Sequence, residues 1–183
     1  MKFFIIYILM FSGYLFSSDV INKDKNEEKS DSFIDSISLS MGQNTSHNNI
    51  YRVAVQSDFN KKLYKNDYGY LDGYFDLSYS RWNYKNENIR GVSFSPVFVY
   101  YFDTNYKNIK PFIDFGIGAT YISKTSVAEK ELSTHFQFED RIGVGFETKS
   151  YRIGLSYFHY SNADLDQPNE GMDMIMLTFT YRF

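Results

Sequence analysis

The chain predicts an all-β fold, an eight-stranded antiparallel up-and-down transmembrane β-barrel, and three observations carry that prediction. Aromatic residues make up 20% of the 183 residues, with 17 Tyr and 18 Phe, an excess that aromatic girdles at two membrane interfaces account for. Beyond residue 32 the chain reads as segments whose side chains alternate apolar with small or polar, the period-2 signature of strands. Eight such segments can be laid out, and eight is the smallest usual number for a membrane barrel.

The amino terminus, MKFFIIYILMFSGYLFSSD, has one early Lys, an apolar run from Phe3 to Phe16, and small residues Ser17 and Ser18 before a change to charge. That order predicts a secretory signal over 1–18, too short for a membrane-spanning helix. Residues 19–32 include DVINKDKNEEKSD, charged and free of aromatics, and predict a flexible lead-in. The barrel domain is then 33–183.

Its strands are expected near 33–42, 50–58, 69–81, 90–102, 111–123, 134–148, 151–161 and 172–183. In the third, Leu71, Phe75, Leu77 and Tyr79 oppose Asp72, Asp76, Ser78 and Ser80. In the fifth, Ile113, Phe115, Ile117, Ala119 and Tyr121 oppose Asp114, Gly116, Gly118 and Thr120, small and polar groups suited to the interior of a narrow barrel. Polar connections are expected at 42–49, 83–88 and 124–132, with longer ones near 59–68 and 103–110 and a two-residue link at Lys149-Ser150. A soluble β-sandwich or a secreted calycin-like barrel would also alternate. The aromatic ending Phe179, Tyr181, Phe183 favours the membrane barrel over both, because it resembles the terminal pattern by which barrel proteins are recognised for outer-membrane insertion.

Charge and cysteine content exclude several functions. The net charge of −3 offers no basic surface for nucleic acid. With no Cys and three histidines, His47, His135 and His159, at no ligand spacing, neither a disulfide framework nor a metal site is expected, and no cofactor is implied. His135 shares a parity with Gln137, Glu139 and Arg141 and is expected to point into the barrel. Arg90, Lys107 and Lys110 are scattered cations without a site.

The last two strands hold the chemistry. Tyr151, Ile153, Leu155, Tyr157, His159 and Ser161 lie on one face, and Asp173, Ile175, Leu177, Phe179, Tyr181 and Phe183 on one face of the closing strand. These apolar faces should meet lipid, so His159, Ser161 and Asp173 project from the outer wall. Residues two apart on a strand are about 6.6 Å apart at Cα, a gap an imidazole and a hydroxyl can close, so His159 can activate Ser161. Pairing around the 162–172 loop is expected to set Asp173 opposite Ser161 and diagonal to His159. An interfacial histidine and a loop-edge serine is the alternative reading of HYS alone.

The segment HYSNADLDQPNEGMD, His159 to Asp173, resembles the signature of the lipid A 3-O-deacylase (PagL) family of outer-membrane barrel esterases. The resemblance implies hydrolysis of the ester-linked acyl chain at the 3-position of lipid A, in the outer leaflet of the bacterial outer membrane. By position the family's base falls on His159, its nucleophile on Ser161, its acid on Asp173 and its oxyanion-stabilising asparagine on Asn169, with Asn162 a second motif amide. Two positions depart from the pattern: Asp173 stands where the family carries Glu, and Asp164 where a small Gly is expected. Glu170 is a fallback acid. Tyr157 and Ile175 are expected to line an acyl-chain groove. The expected partners are lipid A or lipopolysaccharide and the outer membrane, with a homodimer compatible. The rival functions are a non-enzymatic small barrel in adhesion or envelope integrity, and an outer-membrane phospholipase or acyltransferase.

Overall fold

A computed structural model describes residues 33–84, 87–104, 108–127 and 130–183. The predicted signal and lead-in lie outside the described residues. The strands are β1 (Ser36–Asn44), β2 (Asn49–Asp58), β3 (Tyr64–Asn66), β4 (Gly69–Tyr84), β5 (Glu87–Phe102), β6 (Lys110–Ile122), β7 (Ser126–Val127), β8 (Lys130–Glu131), β9 (Phe136–Glu147), β10 (Tyr151–Ser161) and β11 (Met172–Arg182). Eight of them pair antiparallel in the closed order β1, β2, β4, β5, β6, β9, β10, β11, with β11 returning to β1. Closure leaves no sheet edge, the condition for placing backbone in lipid. The barrel is the predicted one.

Alternation sorts the side chains as expected. On β10, Tyr151, Ile153, Leu155 and Tyr157 are exposed, while Arg152, Gly154, Ser156, Phe158 and Tyr160 are buried inside. Two apolar clusters and a polar belt fill the lumen. At the end that carries His159, Trp82, Tyr84, Ile89, Phe158, Tyr160 and Met172 belong to one cluster. Near the opposite end Tyr70, Tyr74, Tyr101 and Phe112 belong to another. Between them Arg52 pairs with Asp76 at 2.5 Å and with Glu139 at 3.4 Å, and Arg141 with Asp114 at 3.3 Å. Glu139 also accepts from Ser95 Oγ and Tyr160 OH, each at 2.8 Å. Buried charges persist only when paired and hydrogen-bonded in this way. The space between strands is tight: a Cβ on Gly118 would fall 1.8 Å from Ser95 Oγ.

Three local expectations need correction. The predicted polar connection 83–88 is mostly strand, because Trp82, Tyr84 and Ile89 continue the inward stripe and pack in the lumen cluster. The link after β9 is three residues, 148–150, closed by the Thr148 N–H donating to Tyr151 O at 2.7 Å. His135 does not enter the barrel: it precedes β9, is exposed, stacks on Tyr121 at 5.4 Å, and its Nδ1 lies 2.7 Å from Ile122 O. The strand pairing starts at Phe136, and at His135, one residue earlier, the carbonyl accepts from the Ile122 N–H at 2.8 Å while the ring turns to Tyr121.

Candidate active site

The outer wall of β10 and β11 is an apolar stripe up to Tyr157 and Ile175, then turns polar at its last turn before the loop. His159 and Asp173 follow on the same face, each side chain 37% exposed, and Ser161 ends β10 at 8% exposure. The ladder sets His159 directly opposite Asp173 and Tyr160 opposite Met172. The expected register, Asp173 opposite Ser161, is therefore off by two residues. A two-residue slip keeps every side chain on its face, so alternation cannot detect it; the loop decides it. Direct opposition brings the groups closer than a diagonal would, and His159 Nδ1 stands 2.7 Å from Asp173 Oδ1. The hydroxyl of Tyr157 donates to that same oxygen at 2.5 Å. Tyr157 thus holds the Asp173 carboxylate, a contact beyond the groove role expected of it, while Ile175 is exposed on the adjoining wall.

With Nδ1 engaged by the carboxylate, Nε2 is the nitrogen left for proton transfer, and it faces Gly171. Gly171 sits at φ +62°, and a Cβ there would come within 3.0 Å of His159 Cε1 and 3.6 Å of Nε2. Glycine is needed on both counts, left-handed backbone and close approach to the ring. Gly171 precedes Met172, the partner of Tyr160, so it lies level with Ser161. Among the described residues no hydrogen bond joins the imidazole to Ser161 Oγ; the two share a face two residues apart.

The loop 162–171 is held by its own amides. Asn162 is fully buried, and its Nδ2 donates to Asp166 O at 2.9 Å and Leu132 O at 3.1 Å. Its backbone N–H donates to Asn169 Oδ1 at 3.2 Å. Asn169 Nδ2 in turn donates to Asp164 Oδ1 at 3.2 Å, leaving its second N–H available. Ala163 and Asp164 have φ of 54° and 62°. Asp164 therefore adopts the conformation a glycine would favour, which Asp tolerates better than most residues. The segment after β7 clamps the loop from the side: Glu131 N–H donates to Glu170 Oε2 at 2.6 Å, Ser133 Oγ to Pro168 O at 2.6 Å and Lys130 Nζ to Gly171 O at 3.3 Å. Glu170 takes part in that clamp, and among the described residues no hydrogen bond joins it to His159.

Sequence reasoning missed two residues beside the imidazole and one contact. Gly171, and the hydroxyl of Tyr157, a residue expected only in the groove, meet His159 and Asp173 through contacts that only the folded hairpin creates. Asp140 stands opposite His159 on β9, between the outward-facing Phe138 and Ile142; a carboxylate on an apolar stripe was the available signal. Among the described residues no group of three or more His, Cys, Asp or Glu side chains is placed to hold a metal ion.

Comparison with known proteins gives this geometry a family. Residues 49–182 match the family model described as Lipid A 3-O-deacylase (PagL). The chain belongs to that family. It is 36% identical over 146 residues to the lipid A deacylase PagL of Pseudomonas aeruginosa, covering 78% of this chain and 83% of that one. It is 53% identical over 73 residues to the lipid A deacylase PagL of Bordetella bronchiseptica, 39% of this chain and 41% of the relative. A solved structure, the crystal structure of the outer membrane enzyme PagL, superposes with a TM-score of 0.76 at 35% identity over 81% of this chain and 99% of the other. The matched span includes the segment from His159 to Asp173, which this barrel folds into a paired His and Asp on its outer wall.

Proposed function

We propose that this protein is a lipid A 3-O-deacylase, a serine esterase that hydrolyses the 3-position ester-linked acyl chain of lipid A in the outer leaflet. The observation that carries the proposal is the 2.7 Å contact of His159 Nδ1 with Asp173 Oδ1 on the outward face of a PagL-family barrel, with Ser161 next on that face. In the mechanism Ser161 Oγ attacks the ester carbonyl and His159 Nε2 takes its proton. Asp173, steadied by Tyr157, holds the tautomer and stabilises the imidazolium. The free N–H of Asn169 is the candidate donor to the oxyanion. Collapse of the tetrahedral intermediate releases the sugar hydroxyl, which recovers the proton from His159, and water then hydrolyses the acyl-serine by the same route.

The site's placement suits a lipid substrate. Lipid A diffuses in the plane of the leaflet and reaches an outward-facing serine without a lumen channel, and Trp82, Tyr160 and Met172 fill the lumen at that level. Ile175 and the ring of Tyr157 supply apolar wall beside the ester. Asn162, buried under the loop, acts as a structural amide. Export by a cleaved signal at 1–18 delivers the chain to the outer membrane.

The test is mass spectrometry of lipid A from cells that carry a 3-O ester and express the wild-type chain, Ser161→Ala or Asp173→Asn. Wild type should remove one 3-hydroxyacyl mass, Ser161→Ala none, and Asp173→Asn far less than wild type. An unchanged lipid A in cells with correctly inserted wild-type barrel overturns the proposal.

A further inference from the structure

His159 has a carboxylate on each side. On β11 it faces Asp173, and on β9 it directly faces Asp140, so Ile117, Asp140, His159 and Asp173 form one row across four strands of the outer wall. Cross-strand partners carry their Cβ atoms about 4.5–5.5 Å apart. We propose that Asp140 is a positioning residue for His159, a second negative charge that strengthens the imidazole as a base and stabilises the imidazolium formed when Ser161 is deprotonated. This inference rests on the reading of His159 as the general base.

Three observations support it beyond the register. Asp140 projects from a lipid-facing stripe, where an ionisable side chain is costly and marks function. Its Oδ1 is buried and has no hydrogen-bond partner among the described residues. The lumen carboxylates Asp76, Asp114 and Glu139 differ in this respect, since both oxygens of each accept hydrogen bonds. A buried acceptor left open beside a base calls for a partner, and a charge arising transiently on the neighbouring ring is one. Asp173 Oδ1 already accepts from Tyr157 and His159, so part of its charge is engaged before the reaction starts. The charged or titratable groups around the ring are Asp140 from β9, Asp173 from β11, Tyr157 from β10 itself, and Lys130, whose ammonium reaches Gly171 O. Glu139, the neighbour of Asp140, is turned into the lumen.

The experiment is the pH dependence of kcat/KM for lipid A deacylation by the folded full barrel in mixed micelles, for wild type, Asp140→Asn and Asp140→Glu, with Ser161→Ala alongside. Removing a negative charge beside His159 lowers its proton affinity, so the acid limb of the Asp140→Asn profile should move to lower pH by about one unit while the plateau falls about tenfold. Asp140→Glu should restore the limb to its wild-type position. A limb that stays in place in Asp140→Asn overturns the inference whatever the plateau does, because lost packing lowers a rate without moving the titration. If Asp140→Asn does not give the compact heat-modifiable band of a folded barrel, Asp140→Ser is read in its place. A Ser161→Ala variant that still turns over lipid A overturns the underlying esterase reading instead, and the two failures are thereby distinct.

Discussion

Replacing Tyr157 by Phe separates two roles for one side chain. The ring lies on the outer wall beside Ile175, where it would serve as groove, while its hydroxyl donates to Asp173 Oδ1 at 2.5 Å, where it would serve the acid. Phenylalanine keeps the first and deletes the second. A hydrogen bond to a charged group contributes about 1.5–3 kcal/mol when dry. Tyr157 is 44% exposed, so solvent competes and about 1 kcal/mol is the fitting magnitude. If that contribution is realised in orienting Asp173 toward the imidazolium, kcat falls about fivefold. KM should hold, since the apolar surface is unchanged. The assay is steady-state deacylation of lipid A in detergent micelles, with kcat and KM resolved separately. An unchanged kcat, with or without a higher KM, would refute the reasoning and return Tyr157 to the groove alone.

Other perturbations probe the remaining parts. Gly171→Ala should cost about 1 kcal/mol of stability from its left-handed backbone and, by pressing on His159 Cε1, lower the deacylation rate about tenfold or more; a wild-type rate would show that the ring has slack there. Ile175→Asp should raise KM with kcat little changed if this wall carries the acyl chain, and micellar kinetics with substrates of different chain length would read it. Glu139→Leu strips partners from Arg52, Ser95 and Tyr160 inside the lumen and should destabilise the barrel by about 3 kcal/mol, measured as a lower urea midpoint for loss of the compact band on a gel.

The short Asp173 side chain meets the imidazole of His159 because the two residues stand directly opposite each other. Direct cross-strand opposition supplies the reach that a diagonal pairing would have denied Asp173. The same register turns the opposite side of His159 toward Asp140, so the hairpin and its neighbour strand build the site together. The loop that closes it is fastened from outside the hairpin, through Leu132, Ser133 and Glu131, which makes the connection between β6 and β9 part of the site's framework.

The division between sequence and tertiary structure follows from what each contact depends on. Side-chain alternation is local, so the number of barrel strands, the lipid and lumen faces, and the outward projection of His159 and Asp173 were all legible from residue order. The motif segment likewise identified the family. Register is not local: slips of two residues leave alternation intact, and only the closed hairpin, with Gly171 at positive φ and its loop clamped by 130–133, set Asp173 against His159 rather than Ser161. His135 sits one residue before the paired strand and turns its ring to Tyr121 and the Ile122 carbonyl instead of the expected lumen face. Asp140 was visible as a charge on an apolar stripe, yet its position beside the imidazole required the pairing of β9 with β10. Residue order determined which groups face the lipid; the cross-strand register, a long-range property, decided which of them touch.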